Sequence, residues 1–215
     1  MKYYPVFLNL NAKEAVVIGG GKVAERKILS LIKAGASVKV ISPDITRTLE
    51  RLRSKKLLQH IRRPYRKGDI KNAFIVIAGT SSDKINKKIS RDAGQLVNGS
   101  EQLINVIDKP GEGNFIAPSI LKRGCLTIAI STEGQSPAVA KTIRKELEKL
   151  YSHEFTFYLR FLGKMRKKAM KEIKDGKKRE KFLKGLASEK IFDTLRRKGP
   201  SSLHRLIRFA SDRND

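Results

Sequence analysis

Short apolar runs alternate with amphipathic segments through the first half of the chain. The runs have the length of strands and are rich in β-branched residues, as buried parallel strands are. They predict strands at about 14–18, 37–41, 57–62, 73–78 and 103–107. Apolar residues in the intervening segments recur every three or four positions, which predicts helices at about 22–34, 45–54 and 83–93. This alternation predicts an α/β fold with a parallel, Rossmann-type sheet covered by helices.

The pattern changes after Asp108, where a turn-rich stretch interrupts the alternation. An apolar strand is predicted at 125–130, and Pro118 disfavours a central strand just before it. Ser136 is the expected N-cap of a helix that has Pro137 at its first position. Helical stripes of apolar residues dominate the remainder of the chain. We therefore predict a Rossmann domain at 1–112, a middle segment at 113–150 and a small, basic, all-helical domain at 151–215.

The first predicted strand ends in a glycine-rich turn with the spacing G-x-G-x-x-A. Gly19 allows the tight turn, Gly21 lets the backbone approach a pyrophosphate, and Ala24 keeps the following helix close to the sheet. The N-terminus of that helix offers unpaired N–H groups and a positive dipole end to an anion. Strand, turn and helix in this order favour dinucleotide binding over a purely structural turn.

The second strand ends in Ser42-Pro43-Asp44, where dinucleotide-binding domains often place a ribose-binding acid. Ser42 occupies the position of that acid, and Pro43 fixes a turn beside the expected adenosine site. Asp44 either contacts the ribose or caps the helix that begins near Ile45. The residues alone therefore leave the choice between NAD and NADP open.

Two further strand ends carry polar groups at the same edge of the predicted sheet. Thr80 follows the strand at 73–78, and Asp108 closes the strand at 103–107. Ligands bind at the carboxyl ends of strands in open α/β sheets, so both residues are expected to face the nucleotide crevice. Thr80 is a candidate cofactor contact. Asp108 is a candidate proton acceptor, and a plain turn residue is the alternative.

The chain is strongly basic, with 47 Lys and Arg against 21 Asp and Glu and a formal net charge of +26. Residues 151–215 hold 19 basic and 8 acidic residues, so the excess extends over both parts of the chain. Such a field attracts polyanions, and nucleic acid and a polycarboxylate small molecule are both candidates. A solvated, lysine-rich surface is the alternative and explains much of the excess. The lack of Trp and of an aromatic-rich RNA motif argues against nucleic acid.

The remaining residue types narrow the class of protein. The single cysteine, Cys125, excludes an intramolecular disulfide, and its apolar neighbours predict a buried strand residue and not a nucleophile. The three histidines lack metal-ligand spacing, so no metal site is predicted. No apolar run approaches a membrane span, and the first residues do not form a signal peptide. We therefore expect a cytoplasmic protein.

Several segments taken together resemble the precorrin-2 dehydrogenase family, which includes the amino-terminal part of sirohaem synthases. Their order and spacing agree with the family over roughly residues 3–150, and the basic helical region agrees more loosely. The segments that carry the resemblance are Tyr4–Leu10, Val17–Lys27, Asn105–Asp108, Asn114–Ser119 and Ile128–Pro137.

The resemblance implies oxidation of precorrin-2 to sirohydrochlorin, with NAD as the hydride acceptor, in sirohaem or cobalamin synthesis. It places the catalytic aspartate on Asp108, and the NAD contacts on the glycine turn with Lys22 and Val23 and on Pro43 and Asp44. The implied substrate is a polycarboxylate tetrapyrrole. The resemblance also implies a preference for NAD over NADP and a homodimer, in which the middle segment at 113–150 interlocks with its partner.

Three departures from the family pattern affect loops. Asn98–Glu101 is an insertion, Lys109 stands where an acidic or small residue is common, and Glu133 replaces a usual glycine. Some family members also insert ferrous iron into the product, so a bifunctional dehydrogenase and ferrochelatase is the alternative activity. A nucleic-acid-binding module is the more distant alternative, and we expect neither nucleic acid nor a membrane as a partner.

Overall fold

The computed structural model describes residues 2–94 and 102–187. The chain divides between Ala117 and Pro118 into two compact units, which we call the N-terminal unit and the C-terminal unit. The insertion at 98–101 and the last part of the predicted helical domain lie outside the described residues.

The N-terminal unit is built on a sheet of five parallel strands. Its spatial order is β3-β2-β1-β4-β5, so β1 is central and the strand order reverses beside it. This is the order of the first five strands of a dinucleotide-binding fold, and it confirms the predicted parallel sheet. The strands are β1 (Glu14–Ile18), β2 (Ser37–Ile41), β3 (Gln59–Ile61), β4 (Ile75–Ala78) and β5 (Leu103–Val106).

Three α-helices connect strands of this sheet and cover it. They are α1 (Lys22–Lys33), α2 (Arg47–Ser54) and α3 (Asp83–Gly94). α1 buries Ala24, Ile28 and Leu31, which recur at the spacing of one helix face. All the helices and strands predicted for this unit are present, with ends that differ by a few residues.

Alternate residues of β1 face opposite sides of the sheet. Ala15 and Val17 pack in one core cluster with residues of α1 and α2. Val16 and Ile18 pack in a second cluster with residues of α3. Full burial of an aliphatic side chain contributes about 1.5–3 kcal/mol, so a sheet buried on both faces is a rigid support for the loops at its edge.

The C-terminal unit begins with an antiparallel hairpin and continues in helices. The hairpin pairs β6 (Ser119–Arg123) with β7 (Leu126–Ile130). The helices are α4 (Pro137–Leu150), α5 (Glu154–Glu172) and α6 (Gly176–Leu186). The hydroxyl of Ser136 accepts a hydrogen bond from the N–H of Val139 at 3.2 Å, which confirms the predicted N-cap of α4. None of the described helices has the length and hydrophobicity that a membrane crossing requires.

The prediction that Cys125 is a buried strand residue is wrong. Cys125 is exposed and lies in the turn between β6 and β7, beside Gly124 with its φ of +60°. The strand begins one residue later, at Leu126, and β7 pairs only with β6 in the described part of the sheet. The sequence pattern did not predict β6, which starts directly after Pro118.

Aromatic residues organise the start of α5. The rings of Tyr151 and Phe155 make an edge-on contact with centroids 5.0 Å apart, and Phe155 also packs on Tyr158. The hydroxyl of Tyr158 donates to the carbonyl of Leu186 at 2.5 Å, which ties α5 to the end of α6. Burial raises the pKa of Tyr158 to about 12.

A cavity of about 470 Å³ lies between α5 and α6, and Arg166 is among its lining residues.

Candidate active site

The carboxyl ends of four strands meet at one edge of the N-terminal sheet. The main-chain ladder continues past the strands, because Gly19 N–H donates to Ile41 O at 2.9 Å and Gly79 N–H donates to Ile18 O at 2.8 Å. Ile107 N–H donates to Ala78 O at 2.9 Å in the same way. The residues after β1, β2, β4 and β5 therefore share one edge, where open α/β sheets bind ligands.

Packing requires two of the three glycines that follow β1. Gly19 has a φ of +118°, and a Cβ there would lie 2.3 Å from the carbonyl oxygen of Gly79. A Cβ on Gly20 would lie 2.2 Å from the carbonyl oxygen of Asp44. These two glycines let the ends of neighbouring strands approach each other, so folding alone accounts for them.

Gly21 differs from its two neighbours. A Cβ built on Gly21 meets no protein atom within 4 Å, and its φ of −77° is open to any residue. Gly21 is the N-cap of α1, and no side chain caps that helix. The first N–H groups of a helix have no partner within it, so this end leaves both donors and space for an anion. The cradle fits the pyrophosphate of a dinucleotide, whose approach a Cβ would obstruct.

The first turn of α1 divides its residues between the core and the crevice. Ala24 is buried, and its Cβ lies 3.7 Å from the place that a Cβ on Gly79 would occupy. Lys22 and Val23 are exposed, and Val23 retains 47% of its accessible surface although it is apolar. The predicted close packing of Ala24 is confirmed, and Lys22 and Val23 remain open to a ligand.

Thr46, and not Asp44, caps α2. The hydroxyl of Thr46 accepts from Leu49 N–H at 3.3 Å and donates to the carboxylate of Glu25 in α1. Thr46 N–H also donates to Gly20 O at 3.1 Å. The cap interpretation of Asp44 is therefore wrong, because α2 starts two residues later than the sequence pattern indicated. The same contacts tie the loop after β2 to the glycine turn.

The segment after β2 places a charged pair at the edge of the crevice. The carboxylate of Asp44 lies 3.6 Å from the guanidinium of Arg62, and both side chains are exposed. Arg62 Nε also donates to Pro43 O at 3.2 Å. The half-buried Ser42 is held through its main chain, since a ring nitrogen of His60 lies 2.9 Å from Ser42 O. His60 of β3 and Arg62 just after that strand hold this segment, a contact that local sequence patterns do not show.

Thr80 is positioned by a buried asparagine. Asn86 on α3 is 5% exposed, and its side-chain oxygen accepts from Thr80 N–H at 3.1 Å. Asn86 Nδ2 donates to Thr80 O at 3.0 Å, and the Thr80 hydroxyl lies 2.9 Å from Asn86 Oδ1. Asn86 was not among the predicted site residues, although its position in register with the buried Ile89 and Ala93 of α3 is a signal for a buried polar group.

Asp108 is exposed on the turn that follows β5. Its φ of +62° lies in the left-handed region, which Asp and Asn adopt more readily than most residues. The next residue, Lys109, forms an ion pair with Asp83 at the start of α3, at 2.6 Å. Hydrogen bonding to Lys109 lowers the pKa of the Asp83 carboxyl. Lys109 is thus directed toward α3, and the carboxylate of Asp108 remains open to solvent.

The structure brings the predicted site residues to one edge of one sheet. Gly19 and Gly21 form the turn at the centre, with Ala24 in the first turn of α1, and Ser42, Thr80 and Asp108 follow the neighbouring strands. The residues described by the structure contain no group of three or more His, Cys, Asp or Glu side chains that could hold a metal ion. The arrangement offers an anion cradle, a carboxylate and a charged pair around one crevice.

Two family models match the chain. The first, described as "Putative NAD(P)-binding", matches residues 6–119. The second, described as the central domain of a sirohaem biosynthesis protein, matches residues 123–150. The first match covers more than half of the chain and includes the whole crevice.

Known proteins are similar over most of the chain. The precorrin-2 dehydrogenase of Bacillus subtilis is 32% identical over 164 residues, which are 76% of this chain and 98% of that protein. The siroheme synthase of Nitrosococcus oceani is 33% identical over 89% of this chain. The chain spans about two fifths of the length of the siroheme synthases that it matches. A solved structure of SirC, a precorrin-2 dehydrogenase, superposes with a TM-score of 0.75 and 26% identity over 96% of this chain and 99% of that chain.

Proposed function

The chain belongs to the precorrin-2 dehydrogenase family, and on that premise we propose that it oxidises precorrin-2 to sirohydrochlorin with NAD as the hydride acceptor. The observation that carries the proposal is the open cradle at Gly21. No protein contact requires a glycine there, whereas a bound pyrophosphate does. The family relationship adds the substrate, because the relatives of matching length are precorrin-2 dehydrogenases.

Different residues of the crevice would bind different parts of NAD. The N–H groups at the start of α1 would hold the pyrophosphate, with Lys22 and Val23 beside it. Ser42, Pro43 and Asp44 would border the adenosine ribose. NAD, when bound, supplies the hydride acceptor that the dehydrogenation needs.

Asp108 would take the proton that leaves with the hydride. Oxidation of precorrin-2 removes two hydrogens, one as a hydride and one as a proton, so the site needs a base as well as a hydride acceptor. Asp108 supplies an exposed carboxylate just after the carboxyl end of β5. β5 lies beside β4, and its carboxyl end is at the edge of the sheet where ligands bind, so the carboxylate can act as a base there. The neighbouring Lys109 pairs with Asp83 on α3 and not with Asp108.

The net charge of the chain suits a polycarboxylate substrate. A formal charge of +26 attracts such a molecule over long range and raises its encounter rate at low salt.

The proposal is tested by incubating the purified protein with precorrin-2 under anaerobic conditions, with and without NAD. We expect the spectrum of sirohydrochlorin only when NAD is present. Product formation at equal rates without NAD would contradict the assignment of NAD as acceptor.

We expect NAD to be preferred to NADP. The exposed Asp44 carboxylate lies 3.6 Å from Arg62, where its negative charge would repel a 2′-phosphate and compete with it for this arginine. Asp44→Asn releases Arg62 and should raise kcat/KM for NADP relative to NAD. Adding Arg62→Gln to that variant should remove the gain. Equal or better turnover of NADP by the unaltered protein would show that the preference is wrong.

We propose that the active form is a homodimer and that residues 114–145 supply much of the contact. Three apolar side chains of the C-terminal unit, Ile120, Val139 and Ile143, each keep more than 40% of their accessible surface. Burial against a second copy would remove this surface from water. Sedimentation at micromolar concentration should give a dimer, and Ile143→Glu should weaken it. A monomer at that concentration would refute the proposal.

The cellular setting and a second activity also remain proposals. An exposed, unpaired Cys125 is compatible with a reducing compartment, and we propose that the enzyme acts in the cytoplasm.

Insertion of ferrous iron into the product is the alternative activity, and it stays a prediction. Chelatase assays with ferrous iron and cobalt, run beside the dehydrogenase assay, would test it.

A further inference from the structure

One face of α6 and one turn of α5 line the cavity between these helices, which we call the α5–α6 cavity. Arg166 and Met170 of α5 lie four residues apart and are therefore neighbours on the helix surface. The lining residues from α6 and its C-cap recur every three or four positions, namely Gly176, Arg179, Glu180, Leu183, Lys184 and Ala187. The volume of about 470 Å³ lies within the range of roughly 300–1,000 Å³ of small-molecule sites. The C-terminal unit thus supplies all the residues that line this cavity.

The lining of the α5–α6 cavity has an excess of positive charge. Glu180 is its one acidic side chain, and its carboxylate pairs with Lys184 at 2.6 Å. Among the residues that the structure describes, neither Arg166 nor Arg179 forms an ion pair with a carboxylate. The two guanidinium groups are therefore available to an anion that enters the cavity.

Arg179 is oriented by the protein without being neutralised. Its Nη1 donates to the carbonyl of Ile173 at 2.9 Å, at the end of α5. Its Nη2 lies 3.9 Å from the place that a Cβ on Gly176 would occupy. A guanidinium carries five N–H donors, so this contact leaves most of them free. Arg179 therefore offers a charge with a restricted orientation, which favours recognition of a planar carboxylate.

The same cavity contains apolar surface. Met170 is 58% exposed although it is a large apolar residue, and the half-buried Leu183 also contributes to the lining. A methionine side chain adapts its shape to an apolar or aromatic partner. A small inorganic anion would use the guanidinium groups alone, whereas a carboxylate on an apolar framework would use both surfaces. The lining therefore favours an amphipathic carboxylate.

We propose that the α5–α6 cavity binds one edge of a polycarboxylate tetrapyrrole. Arg166 and Arg179 bind carboxylates at that edge, because a guanidinium can donate two parallel hydrogen bonds to a carboxylate. Met170 and Leu183 contact the apolar ring that carries those carboxylates. The identity of the ligand rests on the proposed function, which it deepens by assigning substrate recognition to named residues of the C-terminal unit.

The binding experiment uses uroporphyrin, a stable and fluorescent tetrapyrrole polycarboxylate, as the probe. It is titrated into the full-length protein at about 0.15 M salt, where charges more than about 8 Å apart are largely screened. Arg166→Gln and Arg179→Gln should each weaken binding about tenfold or more. Lys167→Gln removes an exposed charge beside Arg166 that does not line the cavity, and it should bind as wild type. An equal loss in Lys167→Gln and Arg166→Gln, or no loss in either arginine variant, would overturn the proposal.

Variants of Met170 test the apolar part of the site. Met170→Gln should weaken the binding of uroporphyrin, and Met170→Leu should preserve it because the apolar contact remains. Equal affinity in both variants and the wild type would overturn the assignment of an amphipathic ligand. The affinity for NAD should be unchanged in all these variants, since its proposed site lies in the N-terminal unit. If the wild-type protein does not oxidise precorrin-2, the proposed function fails, and the uroporphyrin titration still decides whether the cavity binds a tetrapyrrole.

Discussion

Gly21→Asp is expected to abolish NAD binding while the protein remains folded. The backbone of Gly21 is open to any residue and a side chain there meets no protein atom within 4 Å, so the substitution causes no clash. Asp is also a preferred N-cap residue, and α1 should lose no stability. Two unit charges about 4 Å apart near a protein surface repel by about 4 kcal/mol, which corresponds to roughly a 1,000-fold loss of affinity.

Calorimetric titration of NAD and thermal unfolding, both on the same preparation, measure the two halves of this prediction. Gly163→Asp introduces the same charge at another glycine with open space around it, on α5, and should bind NAD as wild type does. Gly19→Ala is the opposite case, because its positive φ and the contact with Gly79 predict a loss of stability. A folded Gly21→Asp protein with wild-type affinity for NAD would contradict the placement of the pyrophosphate at this turn.

Asp108→Asn should lower kcat for precorrin-2 oxidation by about 100- to 10,000-fold, which is the usual cost of removing a general base. Asparagine tolerates the left-handed backbone at this position and keeps the size of the side chain, so the turn is expected to persist. Alanine is a poorer choice because it would add backbone strain to the loss of the carboxylate. The affinity for NAD should be unchanged, since the cradle lies on another strand.

Asp175→Asn provides a matched control for that substitution. Asp175 is the N-cap of α6 in the C-terminal unit, where its carboxylate accepts from Lys178 N–H at 2.8 Å, and asparagine is an equally good cap. This variant should retain the wild-type rate. If Asp108→Asn oxidises precorrin-2 within a few-fold of wild type, Asp108 is a turn residue and the base lies elsewhere.

The features that the sequence predicted well depend on local patterns. The continuous apolar runs of β1, β4 and β5 indicated strands buried on both faces, and parallel pairing follows from helices on each side. The spacing from Gly19 to Ala24 located the turn because each position has its own steric demand. The structure separates those demands, since Gly19 serves packing and Gly21 has no contact that requires it.

The features that could not be predicted from the sequence depend on contacts between distant segments. The capping of α2 is a local choice between nearby polar residues, and Thr46 takes it because Glu25 and Gly20 hold that residue from α1 and the glycine turn. Cys125 was misplaced because an apolar run does not show which of its ends forms the hairpin turn.

We propose that one crevice couples NAD to the oxidation of precorrin-2. The most direct test is the stoichiometry of NADH and sirohydrochlorin formed from precorrin-2 by the purified protein under anaerobic conditions. We predict equal amounts of the two products, and no NADH with Asp108→Asn on the time scale of the wild-type reaction. Formation of sirohydrochlorin without a matching amount of NADH, or no reaction by a protein that binds NAD, would contradict the account.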